Sequence, residues 1–572
     1  MSIQHAKPRQ DVLVSFEDGT LYSGPVGTTL EAFLRQWHTE HANRPEQQPI
    51  AAMVDNRLRE LTYPLTRDVK VRPITISDAD GSRIYRRTLS FILVVAIEEC
   101  FPSQKVVIEH AIPSGGFFCQ MLDRPNLTAQ ELAQVKAKMD EIIAADDPIV
   151  RENMPLDVAF DLFTQRQDFD KVRLLAVREQ DYLTVYKLRG YIDYFYGYMA
   201  PSTGYITRYE LSSFGNGFVL RYPRREVSTE IGPSFDSPKL IEVFNQTAEW
   251  LNLIGITDIG QLNEVVTGGE ARIREMILMQ EALHERKIAE IGNMAAQKHA
   301  EGIRIILIAG PSSSGKTTFA KRLAIQLLTH GIKPFTVEMD NYFVDRELTP
   351  RDENGDYDFE TLEALNVELL NEHLHALIAG ERVQLPKFDF KVGKSYPDRI
   401  VQISEQHMLI LEGIHGMNPN LTPSFSQDET FKVYVSALTQ LNIDRHNRVP
   451  TTDVRLLRRI VRDAKHRSYT AEDTLQRWPS VRRGEKRNIF FYQENADVMF
   501  NSALVYELSV LRPLAEPLLL RVNPDSPLRV EAHRLLSFLG WVRPMGSELI
   551  PDNSLLREFV GGSILRDYHP GT

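Results

Sequence analysis

Cysteine is almost missing from this sequence: Cys100 and Cys119 are the only two in 572 residues. Two thiols exclude a disulfide framework and a four-cysteine zinc site, and they fit a reduced, cytoplasmic setting. Long apolar runs are missing too. The longest clear one, Phe91 to Ile97, is far short of the ~20 residues of a membrane helix, so no membrane association is expected. The opening Met1-Ser-Ile-Gln-His has no apolar stretch of the signal-peptide kind. The 15 histidines show no metal-ligand spacing; His373 and His375, two apart on an expected helix, face different directions. There is no internal repeat, no Asn-Lys-x-Asp guanine motif and no order of Ser, His and Asp that argues for a hydrolase. An excess of positive charge is also lacking. Lys and Arg number 66 against 77 Asp and Glu, a net charge of −11, which excludes a wholly basic nucleic-acid coat.

What is present is the mix of a globular protein, 42% apolar and 25% charged. The length suits roughly three to five folded units. Asp11–Phe16 alternates like a strand, Glu17-Asp-Gly-Thr20 signals a hairpin, and Thr29 to Trp37 has helical spacing. Residues 1–75 thus read as a small β-grasp-like module. Residues 76–230 read as α+β, with a buried helix over Arg86–Cys100 and an aromatic, strand-like stretch over 182–222. Packing inside a sheet is the preferred reading of those rings over base stacking. Residues 231–300 read as a helical connector. Residues 301–520 alternate apolar strands (304–309, 334–339, 408–411, 431–435) with helices, the rhythm of a parallel sheet. Residues 521–572 read as a helical extension. The expected fold class is therefore multidomain, with an α/β phosphate-loop domain preceded by β-grasp and α+β modules.

The sharpest motif is Gly310-Pro311-Ser312-Ser313-Ser314-Gly315-Lys316-Thr317-Thr318, which follows an apolar strand and opens a helix. It fits G-x-x-x-x-G-K-[ST]. Such a loop wraps backbone N–H groups around phosphates, its lysine reaches the β- and γ-phosphates, and its Thr offers a hydroxyl to Mg²⁺. ATP and Mg²⁺ are the implied ligands. Asp340 and Glu412 end the second and third strands of this region. Strand ends of a parallel sheet converge on the ligand crevice, so both acids are expected near Lys316 and Thr317. Asp340 suits a base that takes a hydroxyl proton, and Thr317, Asp340 and Glu412 suit a metal.

A basic stretch follows, with 13 Lys and Arg against 5 Asp and Glu in residues 445–487. At helical spacing Arg455, Arg459, Arg462 and His466 share a face. Arg459, Arg462 and Arg467 are read as a lid over phosphates, because transferring phosphoryl groups spread charge over their oxygens. Arg482, Arg483, Lys486 and Arg487 are read as a solvated flank.

At this point the motifs resemble the uridine kinase/phosphoribulokinase family of phosphate-loop kinases. The resemblance rests on Gly310–Thr318, Asp340-Asn-Tyr-Phe343, Tyr357-Asp358-Phe359, Gly380 to Phe390, Leu411-Glu412-Gly413 and Arg458-Arg459-Ile-Val-Arg462-Asp463. It implies Asp340 as catalytic base and Asp358 as the partner of ribose hydroxyls, with Phe343, Tyr357 and Phe388 around the acceptor. The sequence departs from the uridine-kinase pattern at the acceptor end and after the lid, where Ser468-Tyr469 stands in place of a Gly-Arg. Phe343 and Phe388 stand where tyrosines align and Gly393 where a histidine aligns, and neither residue type can hydrogen-bond a base through its side chain.

Residues 11–75 resemble the TGS module of threonyl-tRNA synthetase. Residues 76–230 resemble its second additional domain, on Ile112–Phe118 and Asp193–Gly204. The metal-binding editing positions of that domain align with Tyr85, Leu89, Phe195 and Met199, none of which is a metal ligand; editing of mischarged tRNA is therefore not expected. An RNA or ligand groove in these modules, and assembly into a homo-oligomer, are left open. The function this implies is an ATP-dependent nucleoside kinase acting on a sugar hydroxyl, the ribose 5′-hydroxyl in the first instance. The alternatives are a kinase of another small hydroxyl substrate, such as a sugar phosphate, and an ATP-switched RNA-binding or ligand-sensing regulator.

Overall fold

The computed structural model describes residues 9–41, 48–227, 229–233, 237–352, 355, 357–439 and 441–570. The opening residues Met1 to His5 quoted above lie outside them.

The chain builds a multidomain α/β molecule in which strand-rich modules precede a parallel sheet. The first sheet has five strands in the order Leu21–Pro25, Asp11–Phe16, Val69–Ile74, Ala51–Val54, Arg57–Glu60. In Asp11–Phe16 every second residue points inward, and Val12 and Val14 are fully buried. Helix Leu30–His41 covers the sheet with Leu30, Phe33 and Leu34. Next comes helix Ala79–Cys100, which starts before the expected Arg86. Its early start is possible because Gly81 lets the first turn approach the Thr75 carbonyl, where a Cβ would stand 1.8 Å from that oxygen. Two antiparallel sheets complete the region, one of four strands and one of three. The rings of Tyr186, Tyr194, Phe195, Tyr205, Phe218 and Tyr222 are buried in or beside them.

The parallel sheet has the order Lys333–Glu338, His407–Glu412, Ile305–Ala309, Thr430–Ser436, Val498–Asn501. Its centre, Ile305–Ala309, is buried at every position, as expected for a strand covered on both faces. The fifth strand and the hairpin Val383–Asp389/Lys394–Val401 have no counterpart in the sequence reading. The former spans only four residues, and the latter strand of the hairpin is exposed almost throughout, so neither carries a hydrophobic period.

Residues 231–300, read as a connector, are part of the cover of this sheet. Helix Pro238–Ile254 packs Leu240, Val243 and Phe244 into one face, and helix Glu270–Ala300 packs Ile288, Ile291 and Ala295 into the other. The extension 521–572 departs from its helical reading. Among its described residues, only Arg529–Leu539 and the short turn Arg557–Val560 are helical. Pro544 and Pro551 and the glycine pair 561–562 break the rest. It is held instead by Leu555, Leu556 and Phe559, each 0% exposed.

The segment just before the basic helix Thr451–His466 is stapled to the second module. Lys171 lies between Asp193 and Asp444 at 2.9 and 3.3 Å, with all three side chains at most 2% exposed. His446 Nδ1 meets Asp193 at 2.6 Å. The Asn447 side chain donates to the Tyr194 carbonyl at 3.0 Å and accepts from Tyr196 N at 2.8 Å. Burial of ions at this density is tolerated only because each faces an opposite charge.

Candidate active site

The phosphate loop owes its shape to two glycines. A Cβ on Gly310 would stand 1.9 Å from the Val435 carbonyl oxygen, and Gly315 sits at φ 85°. Ser313 takes a positive φ of 59°, a strained setting for a side-chain residue. From this loop Lys316 Nζ donates to the Pro311 carbonyl at 3.3 Å and lies 3.9 Å from Glu412 Oε1. Thr317 Oγ1 donates to Glu412 Oε2 at 3.2 Å. Parallel register explains the meeting: Ile308 pairs with Glu412 and Glu412 with Glu338, so the strand ends stand level.

Asp340 follows in the turn Met339–Tyr342. Its carboxylate is reachable by solvent, but protein crowds it on several sides. This desolvation pushes its pKa up, opposed by Lys316, reinforced by Glu338, and opposed again by Arg467 and Arg462. Glu412 is pushed up to about 7, chiefly by desolvation, with Lys316 opposing and Asp340 adding. The expected quartet of Lys316, Thr317, Asp340 and Glu412 is therefore one electrostatic cluster. The hydroxyl of Thr317 beside two carboxylates is a set of oxygen donors that fits Mg²⁺. Among the described residues no three His, Cys, Asp or Glu side chains form a metal cage. Mg²⁺ usually keeps waters and phosphate oxygens as its remaining ligands, so this is no obstacle.

The basic helix places Arg459, Arg462 and Arg467 around one buried acid. Asp463, 2% exposed, lies 3.3 Å from Arg459 Nε, 2.8 Å from Arg462 Nη2 and 3.8 Å from Arg467 Nε. Arg459 Nη1 also donates to Ser312 Oγ in the phosphate loop at 2.9 Å. Arg455 is turned inward, bonded to the Ser312 carbonyl at 3.0 Å and to buried Glu485.

The flank read as solvated is exposed at Lys486 and Arg487 and partly covered at Arg482 and Arg483, and each cation has an acidic partner. Arg482 pairs with Glu485 at 2.8 Å, Arg483 with Asp352 at 3.0 Å, Lys486 with Glu226, and Arg487 with Asp358 at 3.6 Å. Arg482 thus stays within helix Ala471–Asn488, while Arg483, Lys486 and Arg487 reach out from it to Asp352, Glu226 and Asp358.

At the acceptor end Asp358 accepts from Glu360 N at 3.1 Å. Phe343 lies with Phe359, Phe388 and Phe390 at centroid distances of 6.0, 5.6 and 6.0 Å, and Tyr357 is 6.1 Å from Phe359. The structure thus gathers Phe343, Tyr357 and Phe388 through a chain of ring contacts, while the Asp358 carboxylate meets Glu360 N and Arg487. At Gly393 (φ 79°) a Cβ would stand 2.8 Å from the Arg346 side chain, so that side chain fills the place of any residue larger than glycine.

Four acids escaped the sequence reading. Asp463 stood within the quoted basic stretch without a role. Glu485, a lone acid among Arg482, Arg483, Lys486 and Arg487, was a readable signal. Glu360 Oε2 is buried with no hydrogen-bond partner among the described residues, and its pKa is pushed up to about 7, first by desolvation and then by Glu485. Gly484 makes room for it, since a Cβ there would stand 2.2 Å from Glu360 Cβ. Glu558, bonded to Thr318, carried no sequence signal.

In the second module Tyr85, Leu89, Phe195 and Met199 are buried apolar neighbours of one core.

Comparison with known proteins matches these two regions separately. The N-terminal region matches threonine–tRNA ligases. That of Symbiobacterium thermophilum is 28% identical over 233 residues, 40% of this chain and 35% of the ligase. That of Orientia tsutsugamushi is 32% identical over 164 residues, 28% of this chain and 25% of the ligase. The chain thus spans only 25% to 35% of the length of these two relatives. Among solved structures, a "possible uridine kinase" from Bacillus stearothermophilus is 26% identical, covering 35% of this chain and 89% of its own, with a TM-score of 0.22. Residues 305–508 match the model of the phosphoribulokinase/uridine kinase family. Behind a region similar to threonine–tRNA ligases, the chain therefore carries a domain of the phosphoribulokinase/uridine kinase family.

Proposed function

We propose that this chain is an ATP- and Mg²⁺-dependent nucleoside kinase that phosphorylates the ribose 5′-hydroxyl. The observation that carries the reading is the meeting of Lys316, Thr317, Asp340 and Glu412 at level strand ends, faced by Arg459, Arg462 and Arg467.

Phosphoryl transfer asks little covalent chemistry of a protein; it asks for positioning and for charge stabilisation. In this reading the loop Gly310–Thr318 holds the ATP phosphates, and Arg467 closes over them. Asp340 accepts the proton of the acceptor hydroxyl as its oxygen bonds to the γ-phosphorus. The bond to the β-phosphate bridging oxygen breaks, and ADP leaves. Lys316, Arg459 and Arg462 offset charge on the transferring oxygens. Thr317, Asp340 and Glu412 would hold Mg²⁺, which when bound would supply further charge neutralisation.

Asp358 takes the neighbouring ribose hydroxyls. The ring cluster of Phe343, Tyr357, Phe359, Phe388 and Phe390 supplies an apolar wall on which a flat base can rest, with Phe390 the exposed ring and Phe343 and Phe388 buried behind it. With Phe343 and Phe388 in place of hydrogen-bonding rings, recognition of the base is by shape and stacking.

The test is incubation with ATP·Mg²⁺ and separate panels of nucleosides and sugar phosphates, read by ADP release and product mass. A nucleoside monophosphate is the expected product. Turnover with sugar phosphates alone would replace the acceptor, and no turnover with RNA binding that falls steeply with salt would favour the regulator.

A further inference from the structure

The chain itself supplies two carboxylates to the amides of the phosphate loop. At one end Glu485 accepts from Ser312 N at 3.1 Å and is anchored by Arg455 and Arg482. At the other end Glu558 Oε2 accepts from Thr318 N at 3.1 Å and from Thr318 Oγ1 at 2.9 Å. Thr318 is the third residue of helix Lys316–Thr329. Its N–H is one of the first-turn donors that the helix leaves unused, aimed at the place where such loops cradle phosphate.

Glu558 comes from outside the matched segment 305–508. Its backbone is fixed. Leu555, Leu556 and Phe559 are 0% exposed, and Lys465 Nζ donates to the Val560 carbonyl at 2.6 Å. Lys321 Nζ donates to the carbonyls of Leu565 and Arg566 at 2.7 and 3.0 Å. Its side chain is held far less. Glu485 has two arginine partners, whereas the side-chain hydrogen bonds of Glu558 among the described residues all go to Thr318. The carboxylate can rotate away while the segment stays.

We propose that Glu558 is a built-in phosphate mimic that competes with the nucleotide for the Thr318 amide and thereby sets nucleotide affinity. The proposal rests on the reading of the loop as a nucleotide site. A phosphate arriving at this amide brings negative charge against negative charge, so the carboxylate must turn out before the nucleotide seats. The same carboxylate keeps the amide satisfied before it does.

The experiment is titration of the full chain with ADP, ATP and adenosine by calorimetry, for wild type, Glu558→Gln and Glu558→Ala. The Gln variant keeps an acceptor for the amide and loses the charge. Both variants should bind ADP and ATP about tenfold more tightly, with the gain shrinking as salt rises. Adenosine, which has no phosphate, should gain nothing. Melting without nucleotide checks that each variant is folded. Unchanged or weaker nucleotide binding in both variants overturns the competition and makes Glu558 a neutral or supporting group. Absence of nucleotide binding in all three proteins overturns the nucleotide reading itself, and the competition with it.

Discussion

Asp340 and Glu412 are two carboxylates near one lysine, and their surroundings push both toward the protonated form. For Asp340 this raises basicity, which suits a proton acceptor. Asp340→Asn should lower turnover on the order of 10²–10⁴-fold while ATP still binds, as read by ADP release beside a binding titration. Comparable turnover in the variant would remove Asp340 from the proton-accepting role. For Glu412, pushed up to about 7, the folded protein holds the proton more tightly than the unfolded chain does. Its contribution to stability is present below the ordinary carboxylate range and is lost as pH rises through about 7. Melting curves without nucleotide should therefore fall less between about pH 5 and 8 for Glu412→Gln than for wild type. The glycines, Lys316, Thr317 and both acids were legible from the motif and from strand ends. Glu360 and Glu558 were not, because their roles come from chain crossings far apart in sequence.

Helix Thr451–His466 shows what an element adds to its residues. Its spacing was legible, but spacing alone could not tell which arginines turn inward. Arg455 and Arg458 are 1% and 0% exposed and pair with Glu485 and Glu507, while Arg459, Arg462 and Arg467 gather on Asp463. Asp463 is a positioning residue in this arrangement. Asp463→Asn should keep the helix and loosen the arginines, lowering turnover more than it raises the KM for the acceptor. A purely structural role would instead lower the melting temperature and leave turnover per folded molecule unchanged. Glu485→Gln is different, since it strips the charged partner from the buried Arg455 and the half-buried Arg482. It should cost about 3–5 kcal/mol of stability by urea unfolding.

Across the whole molecule, the division into modules was readable from changes of rhythm, but their attachment was not. Opposite charges distant in sequence, such as Lys171 with Asp193 and Asp444, meet only once the modules are folded. Lys171→Met would leave the buried Asp444 with no cation and Asp193 with His446 alone. It should destabilise by about 3–5 kcal/mol, and calorimetry should show the kinase region losing stability along with the second module. A shift confined to the N-terminal region would mean that the staple does not couple them.

The anchoring of the basic helix also decides where the molecule can open. Arg534 bonds Asp453 at its start, Arg458 bonds Glu507 in its middle, and the preceding segment is fixed by Lys171 and His446. Beyond the helix, Ser468 takes a positive φ of 57°. In amide hydrogen exchange, Val454–Val461 should resist until global unfolding, whereas Arg467–Tyr469 should exchange through local opening. Added nucleotide should slow local exchange in the latter stretch, and should slow Val454–Val461 only by as much as it raises global stability, so that closure over phosphate is a movement of the helix end and not of the helix.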